Sequence, residues 1–159
     1  MLPRYGKNPF CLLFKEDQDL VMQIAQGTVR VIRYLWAAPC SLMGLLLAFV
    51  AFLCGASVRK FSGTLEVAGG RFGFWISRLH FSWRVYAITL GHVISGESHA
   101  MLLAHREHER VHVRQYERWG ILFIPLYCIS SLLQYCHGRD SYHENRFERE
   151  ACSRNAKLK

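Results

Sequence analysis

The run His108-Glu-Arg-Val-His112 carries the most specific chemistry in this chain of 159 residues. On a helix, residues four positions apart share a face, so both imidazoles can bind one metal ion. Glu109, beside the first histidine, can then hold and deprotonate a water molecule at that metal. The pattern H-E-x-x-H therefore predicts a metal site with a general base next to it.

Two histidines leave a catalytic zinc ion one protein ligand short, and a carboxylate can complete such a set. No third histidine follows at the spacing H-E-x-x-H-x-x-G-x-x-H, and Gln115 stands where that pattern has glycine. The third ligand is therefore expected downstream, in segment 145–151. Glu148 and Glu150 lie two residues apart there, so only one of them can face the metal from a helix. Asn145 and Glu148 also have the spacing of a capping box, which is the competing interpretation of Glu148.

Regular elements before and after the motif are expected to position these side chains. Residues 86–94 are rich in β-branched side chains and predict a strand. Ser98 is suited to cap a helix of about 20 residues that carries the motif. Asn145 would cap a last helix over residues 146–156. A short strand within 63–70, closed by a Gly-Gly turn, is also predicted.

Three other polar residues lie close to the motif in sequence or along the predicted strand. His105 is expected as an exposed helix histidine, with a role as an alternative ligand or a proton donor to the substrate as the competing interpretation. His92 is expected as a packed or exposed residue and not a ligand. Gln115 is placed either to bond the second nitrogen of a ligating histidine or a backbone carbonyl, or to face solvent.

Hydrophobic residues make up 51% of the chain and are concentrated in two blocks. Block 35–57 has no charged residue, and a transmembrane helix needs about 20 apolar residues. Block 119–135 is shorter, and Pro125 would kink it. A second membrane span is the favoured interpretation of this block, and a helix that lies in the interface or packs against the metal site is the alternative. The expected organisation is an amphipathic segment 1–34, a transmembrane helix 35–57, and a metal-binding domain 58–159 that includes the second block.

The net charge of +8 comes from basic residues that are scattered along the chain and flank the apolar blocks. This arrangement favours anionic lipid head groups as the partner. A recognition helix or a basic strand with interleaved aromatic residues is not found, so no nucleic acid is expected as a partner.

The order of strand, H-E-x-x-H helix and later glutamate resembles the gluzincin clan of zinc metallopeptidases. In membrane-bound members of the M48 type, the third ligand is the first glutamate of an E-x-x-A-D motif, which aligns with Glu148-Arg-Glu-Ala-Cys152. The resemblance implies Glu148 as the ligand, with Glu150 as the backup, and Cys152 stands where the motif has aspartate. It is confined to three segments, about 86–96, 98–118 and 142–152.

A closer resemblance is to uncharacterised bacterial membrane proteins that carry H-E-x-x-H. They share the runs Ile-Thr-Leu-Gly-His-Val, His-Glu-Arg-Val-His-Val-Arg-Gln-Tyr-Glu-Arg-Trp-Gly and Tyr-x-x-Asn-x-Phe-Glu-Arg-Glu-Ala, which stand here at 88–93, 108–120 and 142–151. This resemblance implies an integral membrane protein, expected in the bacterial inner membrane, and it implies no particular activity.

The resemblances imply an α+β fold with a small zincin-like (minigluzincin-like) core and one or two transmembrane helices. Zn²⁺ would be bound by His108, His112 and Glu148, and Glu109 would be the catalytic base. Tyr142 would donate its hydroxyl proton to a developing oxyanion, as tyrosine or histidine does in gluzincins. A packing role is the alternative for Tyr142.

The expected function is that of a membrane-associated zinc metallopeptidase that cleaves peptide bonds in membrane or juxtamembrane substrates. The partners would be the lipid bilayer and a peptide or membrane-protein substrate, which strand 86–94 would accept as an added β-strand. The competing hypothesis is a zinc-binding membrane protein without catalytic activity, with a structural, sensing or partner-binding role.

Overall fold

The computed structural model describes residues 9–78 and 86–156, which contain both helices and strands. A turn of 3-10 helix, Gly120–Leu122, joins the helix that carries H-E-x-x-H to the helix that follows it. In chain order the elements are α1 (Pro9–Leu53), β1 (Ser57–Phe61), β2 (Thr64–Ala68), α2 (Gly70–Ser77), β3 (Ala87–Leu90), β4 (Val93–Gly96), α3 (His99–Trp119), α4 (Phe123–Cys136) and α5 (Arg146–Ala156). This content of helices and strands confirms the α+β class.

The four strands form one mixed sheet in the order β1-β2-β4-β3. β1 and β2 form an antiparallel hairpin, β2 pairs with β4 in parallel, and β4 pairs with β3 in antiparallel orientation. β3 therefore lies at an edge of the sheet. The predicted strand within 63–70 is confirmed as β2. Strand β1, whose five residues are all exposed, was not predicted.

The single strand predicted over residues 86–94 is wrong, because this segment folds as two strands of a β-hairpin. Leu90 pairs with Val93, so Gly91 and His92 form a two-residue turn. Gly91 has a φ of +59°, which glycine adopts at no steric cost and which tight hairpin turns require at their first central residue. A Cβ atom at Gly91 would also lie 2.3 Å from the hydroxyl oxygen of Ser41.

Helix α3 packs against β2, β3 and β4 on one side and contacts α5 on another. Ser98 caps it as predicted, since its hydroxyl accepts a hydrogen bond from the amide of Met101 at 3.3 Å. Buried apolar side chains join the sheet to α3; these are Ala68, Ile94, Leu102 and Val113. The H-E-x-x-H helix is thus held rigidly over the sheet.

Two helical stretches are long and apolar enough to cross a membrane within the part of the chain that is described, Leu20–Leu53 and His99–Cys136. The first lies in α1 and contains most of the block predicted at 35–57; the rest of that block forms a turn and the first residue of β1. The second contains the block predicted at 119–135. The chain divides into two compact units at Leu35 and Trp36, and the residues discussed below belong to the second.

Candidate metal centre

Helix α3 presents His108 and His112 on one face, as the i,i+4 spacing predicts. Their Nε2 atoms are 3.1 Å apart, and the two rings meet edge to face with centroids 4.8 Å apart. His112 is buried, and the side chain of His108 is 13% exposed. Both nitrogens therefore point to one place beneath the protein surface.

Helix α5 brings a carboxylate to the same place. Glu148 lies in its first turn and is 3% exposed. Its Oε2 is 3.1 Å from Nε2 of His108, and its Oε1 is 3.4 Å from Nε2 of His112. His108, His112 and Glu148 therefore form a cluster that could bind a metal ion.

The dimensions of this cluster fit a tetrahedral metal site. Nitrogen and oxygen ligands about 2.0–2.2 Å from Zn²⁺ at tetrahedral angles are separated by about 3.3–3.6 Å. The three measured separations, 3.1, 3.1 and 3.4 Å, are close to these values. A proton shared between an imidazole and the carboxylate would satisfy two of these atoms, whereas a metal ion satisfies all three. Three protein ligands also leave a fourth position open, as in catalytic zinc sites.

The orientation of His112 is set by Gln115. The amide nitrogen of Gln115 donates to the carbonyl of Phe147 and to Oε2 of Glu150, both at 3.1 Å. Its oxygen must therefore face Nδ1 of His112, which lies 2.9 Å away. Because a carbonyl oxygen only accepts, Nδ1 carries a proton, and the neutral ring therefore has its lone pair on Nε2, where it can bind a metal in place of a proton. Of the two roles predicted for Gln115, the hydrogen-bonding one is confirmed.

Glu148 is held as an ionised group by its neighbours. Burial raises the pKa of its carboxyl, but hydrogen bonds with His108 and His112 outweigh burial and keep the pKa well below its usual range. The hydroxyl of Tyr127 on α4 also donates to Oε1 at 2.7 Å. The carboxylate of Glu148 thus faces the two histidines. It takes part in the cluster instead of making the capping-box contact that was the competing interpretation.

The position of α5 follows from Asn145, which is completely buried. Its Oδ1 accepts from the amide of Phe147 at 2.9 Å and caps the helix, as predicted. Its Nδ2 donates to the carbonyl of Tyr127 and the hydroxyl of Ser131 on α4. One side chain therefore both begins α5 and fixes it against α4, so that Glu148 faces α3.

Glu109 lies beside the cluster, with 7% of its surface exposed. Its Oε2 accepts a hydrogen bond of 2.6 Å from the hydroxyl of Thr89 on β3. Edge strand β3 and the predicted general base are therefore joined directly. This contact restricts the rotamers of a glutamate that would otherwise be free to turn away from the cluster.

A cavity of about 730 Å³ opens over the cluster. Its walls come from β3, α3, α4 and the segment before α5, and they include the predicted residue Tyr142. Burial, together with the nearby carboxylate of Glu148, raises the pKa of Tyr142 far above its usual value. Tyr142 therefore keeps its proton at neutral pH and remains a hydrogen-bond donor.

The remaining polar residues singled out in the sequence lie outside the cluster. Glu150, the backup ligand, bonds Gln115 and Arg154. His105 was expected to be exposed, but it is half-buried, because it lines the cavity and stacks on Tyr86 with ring centroids 5.3 Å apart. His92 was predicted to be either packed or exposed, and it is buried. Its Nδ1 lies 2.9 Å from the hydroxyl oxygen of Ser41.

Two residues of the site were missed in the sequence, Thr89 and Tyr127. Thr89 lies in a segment rich in β-branched residues, and nothing in the sequence indicates that its hydroxyl bonds a residue 20 positions away. Tyr127 lies in the apolar block 119–135, for which a membrane span was the favoured interpretation. A buried tyrosine usually needs a hydrogen-bond partner, and that rule was the available signal for Tyr127.

Comparisons of the chain with protein-family models, with curated proteins and with solved structures find no match. The chemistry of the site is therefore argued from its own residues.

Proposed function

We propose that the protein is a membrane-associated zinc metallopeptidase with a zincin-like core. The observation that carries the proposal is the convergence of His108, His112 and Glu148 beside the buried carboxylate of Glu109, beneath a cavity of about 730 Å³. The order of sheet, H-E-x-x-H helix and a later helix that supplies a glutamate supports the resemblance to gluzincins. Zinc is the proposed ion because two imidazoles and one carboxylate are a known zinc set.

When bound, Zn²⁺ would supply a Lewis acid for a carbonyl group and an acidified water. Glu109 takes the proton from the attacking water and later passes it to the leaving amine. Thr89 holds one oxygen of Glu109 during these steps, at the observed 2.6 Å. Tyr142, which keeps its proton, donates to the oxygen that gains negative charge.

The substrate class follows from where the cavity lies. Edge strand β3 forms one wall, so an extended peptide can add to the sheet beside Glu109. Another wall comes from α4, which belongs to the second apolar stretch. We therefore propose membrane or juxtamembrane peptide segments as substrates. The bacterial inner membrane is the proposed location because of the resemblance to bacterial membrane proteins that carry H-E-x-x-H.

The proposal is tested by the metal content of the purified protein and by Glu109→Gln. This change removes the base and retains the three ligands, so zinc should remain at about one equivalent per chain. Peptide hydrolysis should fall by roughly 10²–10⁴-fold. Newly formed N-termini in membrane proteins of cells that express each variant provide the readout.

Glu107→Gln is the matched control, because this glutamate stands on the same helix with its side chain 41% exposed. Its N-termini should match those of the unchanged protein. Zinc binding together with identical N-termini for Glu109→Gln and the unchanged protein would favour the non-catalytic hypothesis. Absence of bound zinc in all variants would refute the metal site itself.

A further inference from the structure

Helix α2 exposes a single stripe of side chains, which is composed of basic and aromatic residues. Arg71, Phe74, Trp75 and Arg78 are spaced i, i+3, i+4 and i+7, and all four are exposed. Phe74 is 56% and Trp75 is 71% exposed. The opposite face is packed, with Gly73 and Ile76 buried. We call these four residues the α2 stripe.

The beginning of α2 is attached to the end of α1. The amide of Arg71 donates to the carbonyl of Cys54 at 3.0 Å. Gly70 lies so close to Gly55 that a Cβ atom would be 2.4 Å from its backbone. α1 ends at Leu53, whose side chain is 69% exposed. The α2 stripe therefore stands at the level where the apolar stretch of α1 stops.

The exposed charge of the segment that contains the stripe is positive. Segment 57–78 contains four basic residues and one acidic residue, Glu66. Glu66 is buried and receives two hydrogen bonds from Arg106, at 2.7 and 2.9 Å. Its charge is thus neutralised inside the protein. The exposed basic side chains are Arg59, Lys60, Arg71 and Arg78.

We propose that the α2 stripe is an interfacial anchor that docks on anionic lipid head groups. Tryptophan prefers the boundary between hydrocarbon and head groups, and arginines reach outward from that boundary to phosphate. The guanidinium of Arg78 lies over the ring of Phe74, 4.5 Å from its centroid, so charge and apolar surface form one unit. A second copy of the chain would bring the same positive charge to this face, which disfavours self-association. The anchor does not depend on the proposed peptidase activity.

The depth of Trp75 tests this assignment in the full chain, reconstituted in phosphatidylcholine and phosphatidylglycerol vesicles. Subtracting the fluorescence of Trp75→Phe isolates the signal of Trp75 from that of the other tryptophans. Lipids brominated near the head-group end of the acyl chain should quench this signal more strongly than lipids brominated near the chain end. Equal, negligible quenching by both lipids would place Trp75 in water or against protein and would overturn the proposal.

The charge of the stripe is tested by placing bromine on only one lipid at a time. Brominated phosphatidylglycerol should quench Trp75 more than brominated phosphatidylcholine at equal mole fraction, with a preference of about fivefold per arginine. The double change Arg71→Gln and Arg78→Gln should remove that preference while quenching itself persists. Arg114→Gln, at an exposed arginine of α3, is the control and should retain the preference. An equal loss in both variants would refute a local role for the stripe.

Discussion

The two glutamates of α5 show how one helix separates a ligand from a supporting residue. Glu148 faces the histidines, with its oxygens 3.1 and 3.4 Å from their Nε2 atoms. Glu150 lies about 200° further round the helix and accepts from Gln115 and Arg154 instead. Their different partners lead to different expectations for metal affinity.

Glu148→Ala should weaken zinc binding by more than the roughly 10–100-fold that is typical of residues that only orient ligands. Glu150→Ala is the matched control and should cause at most such an orienting loss. Competition with a chromophoric chelator measures both affinities. The reverse ranking would assign the third ligand to Glu150.

Gln115 is the second individual residue with a specific expectation. Gln115→Met keeps the length of the side chain but removes the acceptor for Nδ1 of His112. Zinc affinity should fall about 10–100-fold. Burial lowers the pKa of His112, but the neighbouring carboxylates outweigh it and raise the pKa to about 8, so the nitrogen shifts of the metal-free protein are recorded above that pH, where they should lose the signature of a single Nδ1–H tautomer. Unchanged affinity and tautomer would show that the hydrogen bond has no role in metal binding.

Among the elements, α5 depends most on one side chain, because Asn145 caps it and also donates to α4. Ser98 caps α3 through one hydrogen bond only. Loss of a cap costs about 0.5–2 kcal/mol, and each buried group left without a partner costs about 1–3 kcal/mol more. The two caps should therefore differ in their contribution to stability.

Asn145→Ala should reduce the free energy of unfolding by about 2–4 kcal/mol. Ser98→Ala should reduce it by about 1 kcal/mol. Denaturant unfolding of the detergent-solubilised protein measures both. Asn145→Ala should also weaken zinc binding, because Glu148 follows the cap by three residues. An equal loss of stability in both variants would show that the bonds to α4 contribute nothing.

In the molecule as a whole, two apolar helical stretches accompany a small mixed sheet. In the uncharged part of α1, residues 35–53, many outward side chains are large and apolar, such as Leu46 at 67% exposure and Phe49 at 59%. Water would be a poor solvent for such a surface, whereas lipid chains would cover it without cost. We therefore expect α1 to be inserted in the bilayer.

The protein should stay in the membrane fraction after washes with high salt and with alkaline carbonate, and detergent should release it. Leu46→Arg places a charge in the middle of the apolar block, where it costs about 2.5–3.5 kcal/mol, and should lower the membrane-bound fraction. Val58→Arg, at a residue of β1 that is 44% exposed and lies outside both apolar stretches, is the control and should leave it unchanged. Release of the unchanged protein by salt alone would contradict insertion.

Local signals in the sequence determined the elements that carry the site. Three features depend on backbone geometry within about one helix turn and could be predicted from neighbouring residues. They are the i,i+4 histidines, the cap of α3 at Ser98 and the cap of α5 at Asn145. The apolar block 35–57 was equally visible, because the length of a spanning helix follows from composition. Where local signals were ambiguous, as at Gly91, the segment 86–94 was predicted as one strand instead of a hairpin.

Only the tertiary structure decided how those elements meet. Spacing alone left Glu148 and Glu150 as alternatives; the bonds of Asn145 to α4 rotate α5 so that Glu148 points to His108 and His112. The hydrogen bonds of Thr89 to Glu109 and of Tyr127 to Glu148 likewise join residues 20 and 21 positions apart. Such contacts depend on how side chains from several elements pack together at once, and a pattern of neighbouring residues does not specify that packing.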